Sequence, residues 1–371
     1  MIIGVIKEPS PETRVSILPE HVSILKKWNL TVLIEDGAGT TAFASNEKYI
    51  ESGASIASRE EILKTAAIVL SINNFSAADL LHIKEDAVVA GIYQPLFTHN
   101  EIKDWAAKGL TVFSMDMLPR TTRAQTMDVL SSQANIAGYK AVLTAANLFP
   151  KYFPMFMTAA GSIPPAKMLI LGAGVAGLQA IATSKRLGAV VEVFDTRPAV
   201  KEEVMSLGAK FIEVEGAADA SQAGGYAVEQ SAEFLQRQKA KIAESVAKAD
   251  IIITTAQIPG KPAPILITTE MINAMKNGSV IIDLAAATGG NTELTKNDET
   301  VIQQGVSIVG ASRMPSTMPS DASKLYGKNV LNFLQLIIKD GALNLNFDDE
   351  LVKGTCIAHA KIITNERVKN L

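Results

Sequence analysis

Residues 167–178 read Lys167-Met168-Leu169-Ile170-Leu171-Gly172-Ala173-Gly174-Val175-Ala176-Gly177-Leu178, and a second apolar run, Val190-Val191-Glu192-Val193-Phe194, closes on Asp195. Lys167 to Leu171 has the short apolar character of a buried parallel strand. Gly172, Gly174 and Gly177 follow at the G-x-G-x-x-G spacing, and Leu178 to Leu187 reads as a helix. Each position has a physical task. Gly172 permits a tight turn, Gly174 without a Cβ lets a pyrophosphate approach the backbone, and Gly177 lets helix and strand pack closely. Free N–H groups and the helix dipole face the anion there. Asp195 accepts hydrogen bonds from adenine ribose hydroxyls and repels a 2′-phosphate, which predicts NAD(H) over NADP(H). Arg197, two residues on, blurs that preference, because a guanidinium pairs well with a phosphate. The candidate nucleotide-binding set here is Gly172, Ala173, Gly174, Val175, Ala176, Gly177, Asp195, Thr196 and Arg197.

Outward from this unit the strand–helix alternation continues. Downstream strands are predicted at Lys210–Val214, Ile251–Thr255, Ser279–Leu284 and Val306–Val309. Upstream ones are predicted at Ile2–Ile6, Thr31–Ile34, Ile68–Ile72, Ala87–Ile92 and Thr111–Ser114. From about Arg120 to Leu148 the periodicity predicts one long helix, with Met127, Leu130, Ala134 and Ala137 recurring at helical spacing. After Pro315 and Pro319 a further helix is expected, with Val330, Phe333, Leu334 and Ile337 on one face, and residues 320–371 show no strand series of their own. The predicted fold is α/β, with two doubly wound parallel-sheet domains linked by long helices. Residues 1–125 with 320–371 form a discontinuous N-terminal domain, and 126–319 form a Rossmann NAD-binding domain.

Composition excludes several other classes. A chain of 371 residues with 47% apolar and 20% charged residues suits a globular protein of two cores. Net charge is −3 with both signs mixed, so neither a nucleic-acid stripe nor a polybasic lipid patch is present. The single cysteine, Cys356, cannot form an internal disulfide, which points to a reducing compartment, and its apolar surroundings make it core filler. The N-terminus runs straight into a strand pattern without a signal peptide, and no apolar run approaches the ~18 residues of a membrane helix. Membrane contact is therefore expected only through another chain. His21, His82, His99 and His359 are scattered without metal-ligand spacing, and no metal is expected.

Three stretches together resemble the NAD(H)-binding component, domain I, of proton-translocating nicotinamide nucleotide transhydrogenase. They are Arg120-Thr121-Thr122-Arg123-Ala124-Gln125-Thr126-Met127-Asp128-Val129-Leu130-Ser131 running on to Tyr139, then Gly172 through Pro198, and then Gly224-Gly225-Tyr226-Ala227 with Thr254-Thr255-Ala256-Gln257-Ile258-Pro259-Gly260-Lys261-Pro262-Ala263-Pro264. The resemblance implies that Arg120, Gln125, Asp128 and Ser131 surround the nicotinamide. It also implies that a loop of residues 216–226 closes over the nucleotide and brings Tyr226 to the adenosine. Thr255, Ala256 and Gln257 join the cofactor-binding set. By spacing, Gln125, Asp128 and Ser131 step by three and share a helix face, although polar capping of a helix start explains the same pattern equally well. The family further implies direct hydride transfer between NAD(H) on this chain and NADP(H) on a beta subunit. It implies a membrane-spanning proton-channel subunit, a homodimer, nucleotide bound in the cleft between the domains, and a cytoplasmic place peripheral to the inner membrane.

Alanine dehydrogenase shares this fold and is the enzymatic rival. That family uses a lysine and a histidine to hold and protonate pyruvate. The matching strand ends here read Ser71-Ile72-Asn73-Asn74 and Ile92-Tyr93-Gln94-Pro95, leaving Arg14 as the one substrate-type residue. Amino-acid dehydrogenation needs a general acid–base group, whereas hydride transfer between two nicotinamides needs none at the reacting carbon. A non-catalytic NAD(H)-binding protein is the other rival. Two departures from the family pattern stand out: Ala287, where a Glu is expected, and Gly310-Ala311-Ser312, where Gly-His-Thr is usual.

Overall fold

The computed structural model describes residues 1–214 and 231–371. Its strands are β1 (Ile2–Val5), β2 (Thr31–Glu35), β3 (Ser55–Ala57), β4 (Ile68–Leu70), β5 (Val88–Gly91), β6 (Thr111–Ser114), β7 (Phe156–Thr158), β8 (Gly161–Ile163), β9 (Lys167–Leu171) and β10 (Val190–Phe194). There follow β11 (Lys210–Phe211), β12 (Ile251–Thr254), β13 (Val280–Asp283), β14 (Thr300–Gln303), β15 (Val306–Gly310), β16 (Ile338–Lys339), β17 (Ala342–Leu343), β18 (Cys356–His359) and β19 (Ile362–Ile363). The chain divides into two compact units, Met1–Gln133 with Ser316–Leu371, and Ala134–Pro315.

The first unit holds an eight-stranded sheet of order β19-β18-β6-β5-β4-β1-β2-β3, parallel from β6 to β3. Alternation along its strands feeds two apolar layers. In β4, Ile68 and Leu70 join the layer of Ile3, Val5 and Phe113, while Val69 joins Val89, Val112 and Trp105. The helix Pro319–Ile337 covers the first layer with Tyr326, Val330, Phe333, Leu334 and Ile337.

The second unit holds a seven-stranded sheet of order β11-β10-β9-β12-β13-β15-β14, parallel except for β14. Met168 and Ile170 of β9 face one layer, Leu169 and Leu171 the other. Both units are thus α/β with helices on two faces of a mostly parallel sheet. A two-stranded hairpin, β7–β8, stands apart from the sheet with exposed Tyr152, Met155, Phe156, Met157 and Ile163, the Tyr152 and Phe156 rings stacked at 4.8 Å. Among the described residues no helix is long and apolar enough to cross a membrane.

Two sequence expectations are corrected. The tail contains strands: β18 adds to the first sheet antiparallel to β6, pairing Cys356 with Phe113, and β19 pairs with β18. Cys356, Ile357 and Ala358 are all buried, so the strand is covered on both faces and shows no alternation, and four residues are too few to read by period. The second correction concerns the helix expected from Arg120. Residues Thr122–Met127 form a 3-10 turn, Asp128 is non-helical at φ −75° and ψ 92°, and the α-helix spans Val129–Leu148. The Thr126 carbonyl accepts hydrogen bonds from Asn329 and Asn332 side-chain amides at 2.8 and 2.9 Å, which takes it away from a continuous helix ladder.

Candidate functional site

In the second unit, the carboxyl ends of β9, β10, β12 and β13 converge on the glycine turn. Gly172 sits at φ +104°, and a Cβ there would lie 2.4 Å from Thr255 Oγ1, so only glycine fits. A Cβ on Gly177 would fall 1.9 Å from the Gly172 carbonyl oxygen, which fixes how tightly the helix Val175–Arg186 abuts the turn. Around Gly174, by contrast, the space where a Cβ would stand is open within 4 Å. Gly174 caps the helix without a side chain, so first-turn amides are left for an anion. Val175 is exposed and Ala176 partly so.

Asp195 follows β10 and reaches back to the turn. Its Oδ2 accepts from the Ala173 amide at 2.7 Å, and its oxygens accept from Arg197 N, Nε and Nη2 at 2.8, 2.9 and 2.7 Å. The pair is largely buried, at 6% and 19% side-chain exposure, and the Asp195 hydrogen bond raises the guanidinium's pKa despite burial. Thr196 is partly exposed beside it. Across β9, Thr255 donates from Oγ1 to the Gly172 carbonyl at 3.1 Å. Ala256 is held by Asn291, and Gln257 donates to the Leu284 carbonyl at 3.2 Å. These residues form one connected edge. Tyr226 and the 216–226 loop lie outside the described residues.

Sequence reading missed two buried groups at this edge. Asn291 and Asp283 are both wholly buried; Asn291 holds the segment after β12, and Asp283 holds Asn291. Elsewhere in this unit Gln238 is buried in the first half of the helix Ala232–Lys248, and among the described residues its Oε1 has no partner.

The residues expected at the nicotinamide belong to the first unit, and the shared helix face expected for them is not formed. Asp128 instead caps the Val129–Leu148 helix, accepting from Ser131 N at 2.9 Å and from Ser131 Oγ at 2.6 Å. Gln125 is exposed on the preceding 3-10 turn and Arg120 is exposed before it. The fold thus brings Asp128 and Ser131 into direct contact and leaves Gln125 on a separate turn.

The carboxyl edge of the first sheet is closed on itself. Tyr93 and Ser71 hydroxyls meet at 3.1 Å, and Tyr326 donates to the Ser71 carbonyl at 2.8 Å. Buried Glu8 accepts from Ile72 N, Asn73 N and Asn73 Nδ2 at 2.6, 3.0 and 2.9 Å. Burial raises its pKa to about 7, opposed by those hydrogen bonds and reinforced by the Glu12 charge. Arg14 is engaged by Glu12 at 2.7 and 2.9 Å and by Gln133 Oε1 at 2.8 Å. Burial alone would raise the Glu12 carboxyl, but hydrogen bonds and charge from Arg14 carry it down to about 2. Ala287 is exposed and Ala311 buried, its amide bonded to the Asp283 carbonyl at 2.8 Å. Among the described residues no three His, Cys, Asp or Glu side chains gather as metal ligands.

A parallel sheet whose first βα turn carries these glycines and a returning aspartate defines the class of doubly wound, nucleotide-binding α/β proteins. Within it, the chain belongs to the alanine dehydrogenase/PNT family, matching that family's N-terminal domain over residues 4–137 and its C-terminal domain over residues 141–366. It is similar to the first portion of NAD(P) transhydrogenase subunit alpha of Rhodospirillum rubrum, at 46% identity over 368 residues covering 96% of each chain. The crystal structure of transhydrogenase from Sinorhizobium meliloti superposes with a TM-score of 0.90 at 44% identity, over 98% of this chain and 100% of that one. Alanine dehydrogenase of Staphylococcus haemolyticus (strain JCSC1435) is a more distant relative, 25% identical over 356 residues, 92% of this chain and 88% of that protein.

Proposed function

We propose that this chain is the NAD(H)-binding component of a proton-translocating NAD(P)+ transhydrogenase. The turn from Gly172 to Gly177 binds the pyrophosphate and Asp195 the adenine ribose. Thr255, Ala256 and Gln257 border the nucleotide, and Tyr226 closes on the adenosine. Arg120, Gln125, Asp128 and Ser131 serve the nicotinamide, Asp128 and Ser131 through the polar cap that also starts their helix. Bound NADH supplies a hydride directly to NADP+ on a beta subunit, and the chain's own residues supply orientation and a dry surface.

The observation that carries this reading over a dehydrogenase is the closed edge of the first sheet. Arg14 spends its guanidinium on Glu12 and Gln133, and the neighbouring strand ends present Ser71 and Tyr93 bonded to each other. An oxo-acid substrate would need both a free cation and a proton donor there. Coupling to proton passage belongs to a membrane-spanning subunit, which keeps this chain at the cytoplasmic face of the inner membrane. A homodimer uses the exposed apolar face of the β7–β8 hairpin, since an isolated two-stranded hairpin is marginal without a partner surface.

The test mixes the chain with its NADP(H)-binding subunit and follows reduction of an NAD analogue by NADPH. Exchange is expected only in the mixture, with no turnover of pyruvate and ammonia or of alanine by the chain alone. Turnover of alanine by the isolated chain would establish the dehydrogenase instead, and NADH binding without exchange would leave a sensor.

A further inference from the structure

We propose that Asn291 is a positioning residue that sets the backbone of residues 256–264 against the dinucleotide turn. The inference rests on the nucleotide reading of that turn. Asn291 is wholly buried, yet every polar atom of its side chain is used. Its Oδ1 accepts from Ala256 N at 3.0 Å, and its Nδ2 donates to the Ala256 carbonyl at 2.8 Å and to the Pro264 carbonyl at 2.9 Å. One amide thereby pins both ends of the segment that leaves β12.

Asn291 is itself held from below. Its backbone N–H donates to Asp283 Oδ2 at 2.6 Å, and its carbonyl accepts from Leu266 and Ile267 amides at 2.8 and 3.0 Å. Asp283, at the end of β13, also accepts from Ala285 N at 2.9 Å and Thr295 Oγ1 at 2.6 Å. The chain of contacts then continues through Thr255 to the Gly172 carbonyl at 3.1 Å. Strand β13 therefore fixes Asn291, Asn291 fixes Ala256, and Thr255 ties that segment to the glycine turn. A bare structural brace would need one bond to the loop. Three bonds, using both donors and the carbonyl of a side chain with no access to water, hold Ala256 and Gln257 at a set height above the sheet.

The geometry also says which half of the nucleotide feels this. Strand β9 divides the sheet, with Asp195 after β10 on one side and Ala256 after β12 on the other. A dinucleotide folded over the turn lays its adenosine on the Asp195 side and its second nucleotide on the β12 side. Loss of the Asn291 bonds should weaken NADH binding and spare 5′-AMP.

The test titrates NADH and 5′-AMP into wild type and Asn291→Asp. The variant keeps the acceptor for Ala256 N–H but lays a second acceptor against the Ala256 and Pro264 carbonyls. NADH affinity is expected to fall about tenfold, as for loss of buried hydrogen bonds, with 5′-AMP affinity within about twofold of wild type. Should Asn291→Asp fail to fold, Thr295→Val, which removes one donor from Asp283, carries the same test with an expected drop of about threefold for NADH alone. Wild-type NADH affinity in the folded variant would overturn the assignment, and so would an equal loss for NADH and 5′-AMP. A wild-type chain that binds no NADH would overturn the nucleotide reading itself, and the assignment with it.

Discussion

Asp195 and Arg197 satisfy each other, and that bears on coenzyme choice. Arg197 meets both oxygens of Asp195, so the guanidinium stands as the carboxylate's counter-ion rather than as a waiting phosphate site. Replacing Asp195 with Asn removes the anion that repels a 2′-phosphate and at the same time loosens the hold on Arg197. NADH affinity should fall about tenfold and NADPH affinity should rise, narrowing the ratio of the two. Titration of both coenzymes checks this, and an unchanged ratio would contradict the proposed ribose role. The glycine turn was legible because its parts follow one another within 24 residues, Gly172 to Asp195, and each has a local steric reason. Asn291 and Glu8 were not. Asn291 meets Ala256 across 35 positions, and Glu8 meets Ile72 across 64, so no spacing rule in a single sequence links them.

At the scale of elements, the start of the Val129–Leu148 helix separates two roles for one side chain. Asp128 caps that helix through Ser131, so Asp128→Ala should cost about 1 kcal/mol in unfolding free energy. Asp128→Asn retains a capping oxygen and should keep that stability while slowing hydride exchange, because the carboxylate charge is gone. Urea unfolding and the NADPH-driven assay separate the outcomes; exchange at the wild-type rate in Asp128→Asn would reduce Asp128 to a cap. Longer apolar strands were readable: the sequence runs Lys167–Leu171 and Val190–Phe194 coincide with β9 and β10. The short strands β3, β16 and β19 were not, since their pairing comes from neighbours rather than from propensity. The 3-10 turn at Thr122–Met127 escaped for a similar reason: residues some 200 positions away, Asn329 and Asn332, take the carbonyl that a helix would need.

At the scale of the molecule, two acids give the first unit opposite pH behaviours. Glu8 has its pKa raised to about 7, above its ordinary 4.5, so its contribution to stability is full below 4.5 and is lost as pH rises through about 7. Glu12 is depressed to about 2, so its contribution is present above 4.5 and is lost as pH falls toward 2. Thermal melts of wild type and Glu8→Gln between about pH 5 and about pH 8 read the first effect, the range being chosen to bracket the raised pKa. The wild type's advantage over the variant should shrink as pH rises, and a gap that stays constant would show that Glu8 does not titrate in this range.

The sheet of the first unit is finished by β18 and β19, while its other strands come from the opposite end of the polypeptide. During synthesis, β6 leaves the ribosome with its outer edge bare and waits there while residues 134–315 are made. The second unit, continuous in sequence, is free to reach its native form first. A nascent chain arrested after residue 315 should therefore yield a protease-resistant core from the later-made unit, with the earlier-made segment still digestible and a candidate for chaperone capture.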